Sequence, residues 1–202
     1  IPQEKTNVLV TGPGTGLGVC TLTKFGSDIL PIQGEGGNVH FSPANELEIE
    51  ILNFLSNKVK YVSTEEVLSG RGLENIYQFL LRKYKSKGSK LSAKEIGELA
   101  KKNEELPIQA TSIMFEILGT SIANNILVNG CQRAVVICGG ISSKLKSIIK
   151  ESNFFAALEN KGRYSEYVGN VPIFLSIDDN NGLKGAAEAF FNIFFQKNKE
   201  FF

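Results

Sequence analysis

The sequence predicts an α/β protein with a mixed five-stranded sheet, flanked by helices and carrying a helical insertion. Three short runs rich in β-branched residues occupy the first 33 residues and are separated only by turn signals. Two later apolar runs, at 133–138 and 171–177, are typical of buried parallel strands. Segments with helical periodicity fill most of the remaining chain. Three antiparallel strands are therefore expected first, followed by two strands that alternate with helices.

The N-terminal strands are predicted at residues 7–11, 18–24 and 28–33. Turn-forming residues at 12–17 and 25–27 separate them. Because such short connections join antiparallel neighbours, the three strands are expected to form a meander.

The first turn is a glycine-rich loop. A dinucleotide fingerprint would need glycine at position 17 or 19, where this chain has Leu17 and Val19, so a dinucleotide-dependent oxidoreductase is disfavoured. A Walker loop would need a Gly-Lys pair, which does not follow here. The loop leaves backbone N–H groups uncovered by side chains, which suits phosphate, while an ordinary tight turn stays an alternative. Its glycines stand at alternate positions: Gly12, Gly14, Gly16 and Gly18.

Helix start signals follow the strands. Ser63 and Glu66 have the spacing of a capping box, and the glycines at 70–72 are expected to interrupt the helix that follows. The polar segment 86–103 is predicted to be a peripheral helical insertion, with a start signal at Ser92. Further helices are expected to open near residue 45 and to cover 73–84, 105–129, 142–151 and 182–197.

The order of elements indicates a more specific class. Three hairpin-linked strands, helices, strand, helix, strand and helix make up half of a ribonuclease-H/actin-like kinase fold. A doubly wound nucleotide-binding fold would alternate strands and helices from the start.

Charge and composition limit the possible partners. The formal net charge of +1 gives no electrostatic reason to expect nucleic acid or an anionic membrane as partner. Cys20, Cys131 and Cys138 are odd in number and scattered in apolar runs, which is typical of reduced thiols in a cytoplasmic protein. The single histidine, His40, excludes a multi-histidine metal site and disfavours a Ser-His-Asp triad. The longest apolar stretches are expected to be too short for a membrane span.

Six sequence blocks, in collinear order over nearly the whole chain, carry a family resemblance. They are VTGPGTGLGV at 10–19, GEGGNVHF at 34–41, VSTEEVLSGRGL at 62–73, CGGI at 138–141, NKGRYSEYVGNVPIFL at 160–175 and DDNNGLKGAA at 178–187. Together they resemble the bacterial-type glucokinase family of the sugar kinase/actin/heat-shock ATPase superfamily. The resemblance implies ATP-dependent phosphorylation of glucose at its 6-hydroxyl.

The resemblance also implies a nucleotide site. The first glycine loop would be the family's second phosphate loop, and the turn after the fourth strand would contact adenosine. For that later turn, close packing of strand against helix stays an alternative. The implied nucleotide-binding residues are Gly12, Gly14, Thr15, Gly16, Gly139 and Gly140.

Glu35, Asn38 and Glu65 are the implied sugar-binding residues. Ionised carboxylates accept hydrogen bonds strongly from hydroxyls, although a solvated loop acid is an alternative for Glu35 and a helix first-turn acid for Glu65. Family members usually have His where this chain has Asn38, and Asp where it has His40. Asn38 keeps donor and acceptor capacity, so a sugar contact survives, but the sugar preference stays open. His40 is expected to be structural.

The resemblance further implies a division of the chain. Residues 1–178 would form the large domain, and 179–202 a C-terminal helix that crosses back to a small domain. The family's small domain carries the first phosphate loop and the aspartate that deprotonates the sugar, and it would precede Ile1. The chain is therefore expected to be a fragment that is inactive alone and has no catalytic residue of its own. Mg²⁺ would be held mainly through the ATP phosphates and that small domain.

Two expectations concern partners and an alternative function. The C-terminal rings of Phe190, Phe191, Phe194 and Phe195 are predicted to dock on a partner chain or to leave an exposed apolar surface, and a homodimer is possible. The alternative function is a non-catalytic sugar-binding or regulatory relative of the kinase, because Asn38 and His40 depart from the family pattern.

Overall fold

A computed structural model describes residues 7–26, 28–178 and 180–191 of the chain. Within them, one mixed sheet is formed by β1 (Val8–Pro13), β2 (Leu17–Phe25), β3 (Asp28–Gly34), β4 (Ala134–Ile137) and β5 (Ile173–Leu175). The strand order in the sheet is β3-β2-β1-β4-β5. Antiparallel pairing joins β1 to β2 and β2 to β3, whereas β4 pairs in parallel with β1 and with β5. The predicted sheet is confirmed. The last strand is shorter and less buried than predicted, since β5 covers only part of the run 171–177 and Phe174 is 57% exposed.

Helices pack around this sheet. Single 3₁₀ turns occur at Gly36–Asn38, Thr64–Glu66 and Gly162–Tyr164. The described helices are α1 (Glu46–Ser56), α2 (Gly70–Lys83), α3 (Ala93–Ala100), α4 (Glu105–Asn129), α5 (Gly140–Lys144), α6 (Lys146–Glu151), α7 (Phe154–Glu159), α8 (Ser165–Gly169) and α9 (Asn181–Phe191).

The long helix α4 is the centre of the core, and its predicted bounds are confirmed. It ends where Gly130 takes the left-handed conformation, with φ of +61°, which glycine adopts without a steric penalty. At Gly119 a Cβ would overlap the carbonyl oxygen of Phe154, so α7 packs directly on the α4 backbone there. By length and hydropathy α4 could cross a membrane, contrary to the sequence expectation, but 61% of its most apolar window is buried inside the protein. A core helix passes the same test, so this is weak evidence for a membrane span.

The predicted capping box at Ser63 is wrong. The Ser63 side chain makes no capping bond, and residues Thr64–Glu66 form only one 3₁₀ turn. The carboxylate of Glu66 binds Arg71 at 2.8 Å and Asn75 at 3.2 Å instead. The helix begins later, where the Ser69 hydroxyl accepts from the Gly72 N–H at 3.0 Å. The glycines at 70–72 therefore form the first turn of α2 and do not interrupt a helix.

The insertion helix α3 is less peripheral than predicted. Its capping box between Ser92 and Glu95 is confirmed. Ile96 and Ala100 are buried, so one face of the helix belongs to the core. The Ala93 N–H also donates to the Glu74 carboxylate of α2 at 2.9 Å.

One predicted helix near the C-terminus differs from the structure. The helix expected at 142–151 is divided into α5 and α6 by Leu145, which leaves helical geometry (φ −113°, ψ 27°) and buries its side chain. The last helix, predicted at 182–197, begins at Asn181, and its predicted part beyond residue 191 lies outside the described residues. The four phenylalanine rings predicted to dock on a partner lie outside the part of the chain whose side chains are described.

Candidate functional site

The glycine-rich turn is the tip of the β1–β2 hairpin, as predicted. The two strands pair as far as Pro13 and Leu17, and Gly12 lies opposite Gly18. Three residues, 14–16, are left as the loop, and the Gly14 N–H donates to the Gly16 carbonyl at 2.8 Å. Thr15 is exposed at the tip. Because a strand follows the loop where dinucleotide and Walker loops have a helix, both of those motifs are excluded here.

The turn after β4 lies directly beside this hairpin. The Cys138 N–H donates to the Thr11 carbonyl at 2.8 Å. A Cβ at Gly12 would overlap the Cys138 carbonyl oxygen. A Cβ at Gly139, which has φ of +99°, would lie 2.5 Å from the Pro13 carbonyl oxygen. Close backbone packing is thus sufficient to require glycine at both positions, which supports the packing interpretation of Gly139 without excluding a ligand.

A cleft of about 440 Å³ opens between the hairpin tip, α3 and α5; we call it the α3 cleft. Gly140 keeps its backbone open to this space, since a Cβ there would meet only the Lys144 Nζ, at 4.0 Å. Glu98 and Lys101 form an ion pair of 3.0 Å on the α3 side. The lining residues are Gly14, Thr15, Gly70, Ala93, Lys94, Gly97, Glu98, Lys101, Gly140, Ile141, Lys144 and Leu145.

The α3 cleft has cationic side chains on two walls. Lys94 comes from α3 and Lys101 from the residue that follows this helix, and Lys144 comes from the last turn of α5. Lysine ammonium groups are suited to phosphate oxygens. No sequence pattern marks these lysines, because Lys144 lies more than 40 residues after Lys94 and Lys101 and only the fold brings them to one cavity. The predicted capping box at Ser92 indicated that a helix begins in this segment, but not that it lines a cavity.

A smaller cavity of about 230 Å³ adjoins Gly139 and Gly140 near the start of α9. Asp178 lies in it, with its carboxylate bonded to the Asn180 N–H at 2.8 Å and to the Lys184 ammonium. The bond with Lys184 and then that with Asn180 lower the pKa of Asp178, so this carboxylate stays ionised.

Glu65 lies against the base of the hairpin loop. Its Oε2 accepts from the Leu17 N–H at 2.8 Å. The Arg71 Nη2 lies 3.6 Å from its Oε1. A Cβ at Gly16 would overlap Oε2, so glycine at that position makes room for the carboxylate. The predicted sugar ligand and the predicted phosphate loop are therefore in direct contact.

The segment that carries Glu65 also contacts the other end of the loop. The Gly70 N–H donates to the Gly14 carbonyl at 2.8 Å. The Ser69 hydroxyl in turn donates to the Glu65 carbonyl at 2.8 Å. Backbone and side-chain bonds from residues 65–70 thus support both sides of the three-residue loop.

Glu35 and Asn38 lie in the turn that follows β3, and both are exposed. The Asn38 N–H donates to the Glu35 carbonyl at 2.9 Å, and the Asn38 Nδ2 lies 3.5 Å from the Glu35 Oε2. A Cβ at Gly37 would overlap the Leu17 carbonyl oxygen. The turn therefore packs on the residue whose N–H binds Glu65.

Backbone bonds join these two segments, which carry the predicted sugar ligands. The Thr64 N–H donates to the Val39 carbonyl at 2.8 Å, and His40 pairs with Ser63 in an isolated bridge. The His40 ring contacts the Tyr61 ring edge-on at 4.5 Å, and the Tyr61 hydroxyl donates to the Asn38 carbonyl. His40 thus supports the turn by packing, as expected of a structural residue.

The described residues contain neither a group of protein ligands that could hold a metal ion nor a cysteine with a lowered pKa. Among residues 7–26, 28–178 and 180–191, no group of three or more His, Cys, Asp or Glu could hold a metal ion. Burial raises the pKa of Cys20, Cys131 and Cys138, so their thiols stay protonated and unreactive near neutral pH.

Comparison with known proteins identifies the family. A family model described as Glucokinase matches residues 1–192. The glucokinase of Neisseria gonorrhoeae is 38% identical over 193 residues, which are 95% of this chain and 58% of that protein. The glucokinase structure from an Antarctic psychrotroph superimposes with a TM-score of 0.84 at 30% identity, covering 92% of this chain and 58% of that one.

More distant structures share the fold. A ROK family glucokinase from Streptomyces griseus, in complex with glucose and AMPPNP, has a TM-score of 0.64 at 19% identity, covering 93% of this chain and 61% of that one. The chain thus spans less than two thirds of the length of these relatives. The match over residues 1–192 nevertheless leaves no doubt about descent: this chain belongs to the glucokinase family.

Proposed function

We propose that this chain supplies the nucleotide-binding and most of the sugar-binding groups of an ATP-dependent glucokinase, which phosphorylates glucose at its 6-hydroxyl. The observation that carries the proposal is the arrangement around Leu17. Its N–H binds the Glu65 carboxylate, and its carbonyl lies under the turn that carries Glu35 and Asn38. The candidate sugar ligands and the candidate phosphate loop thus meet at one residue, as a kinase requires.

For the nucleotide, we assign the ATP phosphates to the hairpin tip at Gly12, Gly14, Thr15 and Gly16. The chemistry of the site fits this group, because the tip presents uncovered backbone and an exposed hydroxyl beside a cleft with three lysines. Adenosine would lie in the α3 cleft against Gly140, with Gly139 on the side of the smaller cavity that adjoins it. The Streptomyces griseus protein, which shares the fold, is in complex with AMPPNP.

For the sugar, Glu35, Asn38 and Glu65 would bind hydroxyl groups of glucose. Both carboxylates accept hydrogen bonds from neutral hydroxyls, and Asn38 can donate and accept. Exposure of Glu35 and Asn38 leaves them accessible to a ligand. The departures at Asn38 and His40 leave open a preference for a related hexose.

The role of the protein in phosphoryl transfer is to position the reactants and to offset developing charge. Mg²⁺ would supply charge neutralisation at the phosphates, held mainly by their oxygens and by the part of the relatives that this chain does not match. The described residues contain no group of three or more His, Cys, Asp or Glu that could hold it without the phosphates. The proton acceptor for the sugar hydroxyl would come from the part of the relatives that this chain does not match.

The same resemblance supports a division of the chain at residue 178. Residues 1–178 would be the large domain, and 179–202 would form the helix that returns to a small domain. We also propose that the protein is cytoplasmic and that it can form a homodimer.

Formation of glucose 6-phosphate by the full-length gene product tests the proposal. We expect ATP-dependent turnover of glucose, and no measurable turnover by residues 1–202 alone. A full-length protein that binds glucose without phosphorylating it would instead be the non-catalytic relative that Asn38 and His40 suggest. Absence of both binding and turnover would reject the proposal.

A further inference from the structure

The two oxygens of the Glu65 carboxylate have different surroundings. Oε2 accepts the Leu17 N–H at 2.8 Å, at the point where the loop becomes β2. Oε1 has the Arg71 guanidinium at 3.6 Å, too far for a hydrogen bond. The shorter contact of Arg71, at 2.8 Å, is with Glu66. One oxygen is thus engaged with the loop, while the other retains acceptor capacity.

The loop depends on Glu65 and its neighbours for its shape. Its own cross-loop bond is the single one from the Gly14 N–H to the Gly16 carbonyl. Two further hydrogen bonds come from residues 65–70, through the Leu17 N–H and the Gly14 carbonyl. Gly16 leaves no spare room, because a Cβ there would overlap the carboxylate. A change in the position of Glu65 therefore displaces the loop, and a change in the loop displaces Glu65.

We propose that Glu65 couples the sugar site to the phosphate loop, with Oε1 accepting from a sugar hydroxyl while Oε2 holds the Leu17 amide. This inference rests on the proposed glucokinase function. A sugar hydroxyl bound at Oε1 favours the position of Glu65 in which Oε2 also holds the loop, so sugar and nucleotide stabilise the same arrangement. By linkage the effect is reciprocal: a loop that holds Glu65 in place also favours the sugar. Arg71 acts as a positioning residue, because it keeps a positive charge on the Oε1 side.

The first test uses the loop to change sugar binding in the absence of nucleotide. Gly16→Ala adds a methyl group that must displace the Glu65 carboxylate, although residue 16 belongs to the proposed phosphate loop. We expect the Gly16→Ala variant of the full-length gene product to bind glucose at least fivefold more weakly in calorimetry without nucleotide, within the usual range of coupling between sites. Gly18→Ala is the matched control in the same hairpin, because a Cβ there meets nothing within 4 Å. Equal glucose affinities of the two variants would overturn the coupling.

The second test runs in the other direction and does not depend on the folding of the Gly16 variant. Glu65→Ala removes both oxygens, so we expect it to weaken AMPPNP binding at least fivefold in the absence of sugar, as well as weakening glucose binding. Glu35→Ala is expected to weaken glucose binding and to leave AMPPNP affinity within twofold. If Glu65→Ala affects glucose alone, Glu65 is a sugar ligand only and the inference fails.

A third test concerns the proposed positioning role of Arg71. We expect Arg71→Ala to raise KM for glucose and for ATP together, with partial rescue by Arg71→Lys, because the lysine restores the positive charge without the guanidinium geometry. A change in kcat alone would contradict a positioning role. A wild-type protein that neither binds nor phosphorylates glucose would reject the proposed function itself, whereas a working glucokinase with uncoupled variants would reject only this inference.

Discussion

Gly12 and Cys138 are in backbone contact: a Cβ at Gly12 would overlap the Cys138 carbonyl oxygen and lie 3.0 Å from the Cys138 nitrogen. This contact joins the end of β1 to the turn after β4, which are neighbours in the sheet but far apart in sequence. The proposed phosphate loop and the proposed adenosine turn take their relative position from it.

Gly12→Ala is therefore expected to destabilise the fold. Backbone atoms cannot rotate away as side chains do, so relief requires β1 and the β4 turn to separate. We expect a loss of about 2–3 kcal/mol in the free energy of unfolding, at the upper end for overpacking a close-packed site. Urea denaturation measures it. Gly18→Ala adds the same methyl group in open space on the paired strand and should change stability little; similar losses in both variants would contradict the explanation.

Filling the α3 cleft is expected to weaken nucleotide binding. Gly97 lines this cleft, and a Cβ there would make an ordinary contact at 3.5 Å with the Leu145 side chain. Gly97→Leu should keep the helix, since leucine is a better helix former than glycine, but should fill part of the cavity. We expect AMPPNP affinity of the full-length gene product to fall at least tenfold while glucose affinity in the absence of nucleotide is retained.

Calorimetry with each ligand separates these effects, and Gly97→Ala serves as the smaller matched change. If Gly97→Leu binds AMPPNP as the wild type does, the nucleotide does not occupy this cleft.

The sugar site is tested at Glu35. Glu35→Gln keeps the size of the side chain but replaces a charged acceptor by a neutral amide. Because hydrogen bonds to charged groups contribute about 1.5–3 kcal/mol, we expect glucose to bind roughly 10- to 150-fold more weakly. Titration calorimetry of wild type and variant measures the difference. Unchanged affinity would remove Glu35 from the sugar site.

Glu48 is expected to make stability depend on pH. This carboxylate is 2% exposed and accepts from the Ala44 N–H at 2.7 Å and from the Asn45 amide at 3.1 Å. Burial raises its pKa above the ordinary value of 4.5, and the nearby Glu116 adds to the increase, although the two hydrogen bonds and Lys161 oppose it. The folded state therefore binds a proton more tightly than the unfolded state does.

The direction in which stability changes with pH follows from the linkage between proton binding and folding. A raised carboxyl pKa means that stability falls as the pH rises from 4.5 through the raised value, because the folded protein then has to bury the charge. Glu48→Gln removes this titration, so the stability of the variant relative to wild type should increase over that pH interval. Urea denaturation at several pH values measures it, with the exposed neighbour Glu46→Gln as control. Parallel stability curves for wild type and Glu48→Gln would show that burial of this charge has no net cost.

The sequence by itself determined the features that depend on neighbouring residues. Leu17 and Val19 stand where a dinucleotide loop needs glycine, and the alternation that follows them predicted the hairpin that forms. The periodicity before Gly130 predicted α4 with its correct ends, and Ser92 with Glu95 predicted the cap of α3. In each case the decisive atoms lie within one or two turns of the chain, so local geometry is sufficient.

Tertiary structure decided what depends on remote partners. Ser63 and Glu66 have the spacing of a cap, but Arg71 and Asn75 bind the Glu66 carboxylate once α2 packs beside it. The contact of Glu65 with Leu17 spans 48 residues, and no local pattern predicts it. Motif spacing names candidate residues because it reflects the local backbone, whereas the partner of a carboxylate depends on which segments the core brings together.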